Sequence, residues 1–130
     1  MEEINLITKE IIGKCFRVSN TLGNGFLEKV YQNALFYELT KSGFNVKQQY
    51  PLEVFYEDKV VGEYFADLLV ENRIIVELKA TKALEDIHLA QILNYLKACN
   101  MDFGLLINFG TPGKFFHVEV SSAQNQRIHP

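Results

Sequence analysis

The run RIIVELKA, residues 73–80, has the apolar content of a buried β-strand and yet carries a glutamate and a lysine two residues apart. Side chains alternate between the two faces of a strand, so Glu77 and Lys79 are expected on the same face as Ile75. A charge in an apolar interior is costly unless another group compensates it. Two such charges on one face of a buried strand therefore indicate a specific role for them.

Patterns on both sides of this run predict an α/β fold. Apolar residues at helical spacing predict three helices, over 2–19, 27–43 and 84–99. Runs rich in apolar and aromatic residues predict five strands, over 45–57, 59–70, 73–80, 102–110 and 115–120. The third strand, the third helix and the fourth strand predict a right-handed parallel crossover. We therefore expect a mixed β-sheet flanked by helices, in a single domain over 1–120 with a polar C-terminal tail over 121–130.

The loop between the second and third strands decides whether two acidic residues meet. If residues 71–73 form a three-residue loop, Val70 faces Ile74 and Asp67 lies directly opposite Glu77 on the same face. A two-residue loop would place the two carboxylates on opposite faces of the sheet. The asparagine in this loop tolerates the left-handed conformation that three-residue hairpin loops commonly need, which favours the first arrangement.

In that arrangement two carboxylates and the ammonium group of Lys79 converge at the surface of the sheet. Adjacent carboxylates repel each other, and a divalent cation relieves that repulsion; hard oxygen ligands suit Mg²⁺ or Mn²⁺. Such an ion polarises a phosphate oxygen and lowers the pKa of a bound water, while a lysine orients the water or stabilises negative charge. These groups suit the hydrolysis of a phosphodiester. The alternative is a structural salt bridge, because a D…ExK pattern is short and occurs often by chance.

At these residues the sequence resembles the PD-(D/E)xK nuclease superfamily, whose core has an acidic residue on one strand and a (D/E)xK run on the next. The matching positions are Asp67 and residues 77–79, with Ala66 in place of the proline of the motif. The segment GFLEKVY, residues 25–31, is similar to the signature of the GxxExxY protein family, a group of predicted nucleases in that superfamily, through Gly25, Glu28 and Tyr31. The resemblance implies a PD-(D/E)xK nuclease-like fold and a nucleic-acid substrate.

The resemblance also implies a set of metal ligands. It adds Glu28, near the start of the second helix, to the side chains of Asp67 and Glu77; the carbonyl of Leu78 is a further candidate ligand. For Glu28 the alternative is a helix-start glutamate that is favoured there by the helix dipole. Lys79 is then the residue that assists the attacking water.

Polar residues on two helices are further candidates. The superfamily often carries a Q-x-x-x-Y run on the helix after the ExK strand, which here falls on Gln91 and Tyr95 and implies that they orient Lys79 or the substrate phosphate. The alternative is that both are ordinary polar residues of a helix surface. His88 is a candidate for contacting a phosphate or capping the site. Tyr31 either donates its hydroxyl to Glu28 or to a phosphate, or simply packs.

Composition and charge limit the classes of partner. The formal net charge of −3 counts against a strong non-specific nucleic-acid binder, although acidic metal ligands also lower the net charge. No apolar run approaches the ~20 residues that a membrane span needs, and the first ten residues do not resemble a signal peptide. Cys15 and Cys99 lack zinc-site spacing, which predicts reduced thiols and a cytoplasmic protein.

These observations together predict a small nuclease-like domain that depends on Mg²⁺ or Mn²⁺ and acts on DNA or RNA, with a homodimer as one expected assembly. Two alternatives stay open. One is a catalytically inactive module that holds nucleic acid or a protein partner, which the acidic balance favours and the intact Asp67, Glu77 and Lys79 disfavour. The other is a structural domain in which Glu77 and Lys79 form a buried ion pair and the chain assembles with copies of itself.

Overall fold

The computed structural model describes residues 2–112, 116–122 and 126–128, with side chains described as far as residue 122. Within these ranges there are three helices, α1 (Glu2–Leu22), α2 (Glu28–Lys41) and α3 (Asp86–Cys99). The same ranges contain six strands, β1 (Val46–Tyr56), β2 (Lys59–Val70), β3 (Ile74–Lys79), β4 (Phe103–Asn108), β5 (Phe116–Ser121) and β6 (Gln126–Ile128). None of the described helices is both long and apolar enough to pass through a lipid bilayer.

Every predicted helix and strand is present, and the ends differ by three residues at most. The first residue of the strand predicted over 115–120, and residues 123–125 and 129–130 of the predicted tail, lie outside the described residues. Strand β6 falls inside that tail and was not predicted. The predicted fold class, a mixed sheet flanked by helices, is confirmed.

The six strands form one sheet in the order β1-β2-β3-β4-β5-β6. Strands β3 and β4 run parallel, joined through α3, which confirms the predicted parallel connection, and the other neighbouring pairs are antiparallel. Strand β1 lies at one edge of the sheet, where Pro51 is tolerated because an edge strand does not need every N–H for pairing. The central position of β3 buries it on both faces, which explains its nearly continuous apolar run.

The sheet separates two hydrophobic cores. One core lies between the sheet and helices α1 and α2, and the other lies between the sheet and α3. Consecutive residues of β3 alternate between them, since Ile74 and Val76 belong to the first core and Ile75 to the second. Glu77 and Lys79 have the same parity as Ile75, so their side chains leave β3 on the face that α3 covers.

The β2–β3 hairpin has the predicted three-residue loop. Val70 pairs with Ile74, and residues 71–73 connect them. Glu71 and Asn72 both adopt the left-handed conformation, with φ angles of 55° and 54°. The carboxylate of Glu71 accepts a 2.6 Å hydrogen bond from the N–H of Asn45, which holds this unusual backbone against the start of β1. The hydrophobic register and the loop parity therefore agree, and both direct Asp67 towards Glu77.

Candidate active site

Strands β2 and β3 stop pairing through their backbones just before the two acidic residues. The antiparallel register runs from Val70–Ile74 to Leu68–Val76. Beyond it, the N–H of Asp67 donates to Glu77 Oε2 at 2.7 Å, and the N–H of Leu78 donates to Asp67 Oδ2 at 2.8 Å. The two carboxylates thus accept the hydrogen bonds that backbone carbonyls accept elsewhere in the sheet. This geometry confirms that Asp67 and Glu77 meet, on which the predicted site depends.

Burial and mutual repulsion make these carboxylates difficult to ionise. Only 4% of Glu77 is exposed, and burial, followed by the nearby charge of Asp67, raises its pKa to about 8. Burial also raises the pKa of Asp67, against the opposing effects of the Leu78 N–H and the positive charges of Lys79 and Lys29. At neutral pH the pair therefore favours a bound proton or a cation, because either one removes the repulsion between two negative charges.

Lys79 ends β3 close to the acidic pair without forming an ion pair with it. Its positive charge opposes the rise in the pKa of Asp67, Glu77 and Glu28. The described part of the chain contains three salt bridges, and none of them involves Lys79. The buried Glu77–Lys79 ion pair of the structural alternative is therefore absent, and the ammonium group is left for another partner.

Glu28 approaches the same pair from the other face of the sheet. It is the first residue of α2 and is half-buried; burial raises its pKa, the charge of Lys79 lowers it and the charge of Asp67 raises it. It therefore shares an electrostatic environment with Asp67 and Lys79. Even so, among the described residues no three Asp, Glu, His or Cys side chains are gathered closely enough to hold a metal ion. The assignment of Glu28 as a third ligand stays a prediction.

The loop that leads into α2 explains the other two residues of the GxxExxY run. Gly25 has a φ angle of +111°, which strongly favours glycine, and it lies just before α2. The hydroxyl of Tyr31 donates to the carbonyl of Gly23 at 2.6 Å and accepts from the N–H of Phe26 at 3.2 Å. Its ring is fully buried and stacks on Phe109, with centroids 4.8 Å apart. Tyr31 thus fixes the loop before Glu28, as in the alternative that it packs, and its predicted contact with a substrate phosphate stays a prediction.

Helix α3 brings Gln91 and Tyr95 to the acidic pair. Gln91 Nε2 donates to the hydroxyl of Tyr95 at 3.3 Å. Burial, followed by the negative charges of Glu77 and Asp67, raises the pKa of Tyr95 to about 12, so its phenol stays protonated at neutral pH. A tyrosine that is 8% exposed and lies near two carboxylates is not an ordinary polar residue of a helix surface.

His88 has a structural partner at the start of α3. Its Nδ1 accepts a 2.9 Å hydrogen bond from the N–H of Glu85, and together the two residues form a capping box. His88 also lines a groove that Lys79, Gln91 and Tyr95 share. The ring therefore caps the helix, and its predicted contact with a phosphate remains a prediction.

Two glutamines support Asp67 and were not predicted. Gln32 of α2 is only 3% exposed, and its Nε2 donates to Gln49 Oε1 at 2.9 Å and to the carbonyl of Asp67 at 3.4 Å. Gln49 lies in the interior of β1 with a φ angle of +52°, at the gap in the pairing next to Asp67. Such a conformation costs about 1–3 kcal/mol in a non-glycine residue and persists where its surroundings hold it. These contacts fix the backbone from which the Asp67 side chain projects.

A second support holds the chain just after Lys79. The buried side chain of Asn108 accepts from the N–H of Thr81 at 3.0 Å and donates to the carbonyl of Thr81 at 2.9 Å. The N–H of Phe109 also donates to the carbonyl of Lys79 at 2.9 Å. A Cβ at Gly110 would lie 2.2 Å from the carbonyl oxygen of Thr81, so only glycine allows this close approach. Asn108, Phe109 and Gly110 thus position the end of β3.

An acidic residue on one strand, a Glu-x-Lys run on its neighbour and helices on both faces of the sheet are the arrangement that the sequence resemblance predicted for a nuclease-type α/β fold. A family model described as the PD-(D/E)XK nuclease superfamily matches residues 5–120, and the chain belongs to this superfamily. Nucleases of the superfamily generally use divalent metals. The match confirms the superfamily; it does not reach the finer GxxExxY group.

Solved structures support the fold independently. The chain is similar to the crystal structure of SSO0001, with a TM-score of 0.54 and 21% sequence identity. The match covers 72% of this chain and 48% of that one, so the chain spans about half the length of SSO0001. At this identity the likeness shows the fold alone. No curated protein matches the chain.

Proposed function

We propose that this protein is a divalent-metal-dependent nuclease that hydrolyses phosphodiester bonds in DNA or RNA. The observation that carries the proposal is the gap between β2 and β3, into which the carboxylates of Asp67 and Glu77 are drawn by two backbone N–H groups. Separating two strands and burying two repelling acids is costly in a purely structural domain. The cost is understandable if a cation completes the site.

The donor set suits Mg²⁺ or Mn²⁺. Each carboxylate uses one oxygen for a backbone N–H and keeps the other oxygen for a further contact. Mg²⁺ in proteins is commonly held by one or two carboxylates, with water and substrate phosphate in the other positions. The carboxylates of Asp67 and Glu77 are therefore enough protein ligands for such a site. The carbonyl of Leu78 and the carboxylate of Glu28 are the proposed additional ligands. When bound, the ion supplies polarisation of a phosphate oxygen and a lowered pKa for water.

The remaining roles belong to side chains around this pair. Lys79 has no salt-bridge partner in the described part of the chain, and we assign its ammonium group to the attacking water or to the charge that develops on the phosphate. Tyr95 stays protonated near neutral pH and can donate its hydroxyl to a phosphate oxygen. Gln91, bonded to Tyr95, holds that hydroxyl in position.

An inactive binding module is the second candidate. The observation in its favour is that the described residues contain no ready-made group of three metal-binding side chains. The net charge of −3 favours a protein partner over nucleic acid for such a module, because strong electrostatic binding of nucleic acid usually needs a basic surface. In this second function the same groove would hold its partner without cutting it.

We also propose a family group, a cellular location, a domain extent and an assembly for this protein. We place the chain in the GxxExxY group, on the basis of Gly25 in the loop before α2, Glu28 at the start of α2 and Tyr31 holding that loop. The two free thiols, Cys15 and Cys99, accord with the predicted cytoplasmic location. We further propose that residues 1–120 form a single domain and that the protein assembles as a homodimer.

The test combines cleavage and metal binding. Purified protein is incubated with single- and double-stranded DNA and RNA, linear and circular, in Mg²⁺, Mn²⁺ or EDTA. We expect metal-dependent cutting that Asp67→Asn, Glu77→Gln and Lys79→Met abolish, while the exposed control variant Glu63→Gln on β2 cuts like the wild type. Calorimetry is expected to detect Mn²⁺ binding that Asp67→Asn and Glu77→Gln weaken. Metal binding without cutting of any substrate supports the inactive module, and neither binding nor cutting refutes the proposed function.

A further inference from the structure

A groove of about 690 Å³ opens between α3 and the hairpin of β1 and β2. Lys79 lies in its wall, so the groove continues directly from the candidate active site. The hairpin contributes Phe55 and Tyr64, and α3 contributes Gln91 and Asn94. The volume falls within the range of pockets that hold small organic molecules.

We propose that this groove binds an unpaired nucleobase next to the scissile phosphate, which makes the substrate single-stranded or frayed nucleic acid rather than a closed duplex. The inference rests on the proposed function. If Lys79 acts on the scissile phosphate, the groove beside Lys79 is where the adjoining nucleobase lies. It adds the substrate class and a residue, Tyr64, whose role neither the superfamily motif nor its spacing assigns.

Aromatic surface is the first argument for a base. The ring of Tyr64 lies 5.6 Å from the ring of Tyr95, centroid to centroid, and 48% of Tyr64 remains exposed. Phe55, in the same wall, is 57% exposed. Nucleobases of any sequence stack on such rings, which is how many proteins bind single strands without sequence preference. The amide side chains of Gln91 and Asn94 supply donors and acceptors for the edge of a base.

Charge is the second argument. The groove is lined by two lysines, Lys79 and Lys97, and by one glutamate, Glu53, so it offers little net positive charge along a phosphate backbone. A duplex presents its phosphates outward and keeps its bases stacked on each other, so it could not use the aromatic wall. A neutral flat ring from an unpaired nucleotide matches an aromatic wall of low charge better than a duplex backbone does.

Binding in the absence of cutting tests the inference. Fluorescence anisotropy in EDTA compares a labelled single strand, its duplex and an abasic strand that keeps every phosphate but lacks bases. We expect the single strand to bind more tightly than both of the others. A strand with 2-aminopurine is expected to lose fluorescence on binding, since stacking on a ring quenches the base.

Three tyrosine variants identify the stacking residue. Tyr64→Leu keeps apolar bulk but removes the aromatic face, and it is expected to weaken single-strand binding roughly 5- to 150-fold, as for the loss of one base–aromatic stack. The matched control Tyr56→Leu changes a tyrosine of the same hairpin that is 70% exposed and does not line the groove, and its affinity is expected to stay within about twofold of the wild type. Tyr64→Phe keeps the ring and should bind like the wild type.

Each outcome supports or overturns the inference. Equal binding of the abasic strand, tighter binding of the duplex, or unchanged affinity in Tyr64→Leu would overturn it. If Tyr64→Leu does not fold, the abasic strand and the 2-aminopurine signal of the wild type decide alone. Because this assay contains no metal, base-dependent binding by a protein that cuts nothing upholds the groove and refutes only the nuclease. Cutting by a protein that ignores the bases upholds the nuclease and refutes only the groove.

Discussion

Replacing Glu77 with glutamine is expected to stabilise the metal-free protein, and to stabilise it more as the pH rises. The carboxyl is 4% exposed, and its pKa rises from an ordinary value of 4.5 to about 8, because of burial and the nearby charge of Asp67. Glutamine keeps an oxygen that accepts from the N–H of Asp67, as Glu77 Oε2 does at 2.7 Å, but it never becomes charged. The variant therefore removes an ionisation that the folded state resists.

The sign and size follow from proton linkage. Between pH 4.5 and 8 the unfolded carboxyl has lost its proton and the folded one retains it, so rising pH favours the unfolded chain. At about 1.36 kcal/mol per pH unit, the penalty at pH 7 approaches roughly 3 kcal/mol for a carboxyl acting alone. Asp67 shares the titration with Glu77, so we expect Glu77→Gln to recover about 2 kcal/mol at pH 7 and under about 1 kcal/mol at pH 5.

Urea unfolding in EDTA at pH 5, 6, 7 and 8 measures the difference. The control Glu63→Gln changes an exposed glutamate on β2 and is expected to stay within about 0.5 kcal/mol of the wild type at every pH. Mg²⁺ is expected to raise the stability of the wild type and to act far less on Glu77→Gln, since a ligand stabilises only the state that binds it. A Glu77→Gln protein that is less stable than the wild type, or a gain that does not grow with pH, would refute the reasoning.

Three other substitutions, one of them with a matched control variant, test Lys79 and the supports of the site. Lys79→Met is expected to leave the free energy of unfolding within about 1 kcal/mol and to reduce cleavage at least about 100-fold; a loss of several kcal/mol in urea would instead indicate a buried ion pair. Gln32→Leu is expected to cost about 1 kcal/mol in urea, because the carbonyl of Asp67 and the side chain of Gln49 lose the hydrogen bonds that the buried Gln32 amide donates, and to weaken Mn²⁺ binding in calorimetry; unchanged stability and affinity would show that Asp67 needs no such support. Gly110→Ala is expected to lower the melting temperature strongly through its clash with Thr81, whereas Gly13→Ala, whose Cβ would have no neighbour within 4 Å, is expected to stabilise α1 by about 0.5–1 kcal/mol. Equal melting temperatures for the two alanine variants would contradict the close approach at Gly110.

The parts of this fold that could be predicted from the sequence are the elements whose side chains face a hydrophobic core at regular intervals. The apolar run of β3 and the helical spacing in α1 and α3 are visible because burial repeats with a fixed period. The meeting of Asp67 and Glu77 was predictable for a similar reason, since it depends on whether the hairpin loop has an odd or an even number of residues. Only Asn72 hinted at the answer, and Glu71 adopts the same left-handed conformation without any sequence signal.

Features that depend on a break in the pattern were not predictable. Ala66 and Leu69 lie three residues apart in β2 and yet both pack under α3, so alternation fails at Asp67 itself. The left-handed Gln49 on the neighbouring strand accompanies this break. A glutamine carries no local preference for that conformation, and its partner Gln32 is distant in sequence. Strand β6 escaped prediction because its three residues have no apolar alternation and pair only along the edge of β5.

The departures from regular strand geometry lie at the candidate active site. In a regular sheet the N–H groups of Asp67 and Leu78 would donate to carbonyls of neighbouring strands, and both carboxylates would lie on the sheet face beneath α3. Separation of the strands instead turns these N–H groups towards the carboxylates and opens the sheet, so that Glu28 on one face and Tyr95 on the other both act on the same pair. The left-handed Gln49 and its hydrogen-bonded partner Gln32 lie beside this point, where β1 also lacks a pairing partner for Asp67. Sequence patterns do not predict this region, because here backbone N–H groups of the sheet bond to the carboxylates of Asp67 and Glu77. These bonds hold together two acids that would otherwise repel each other.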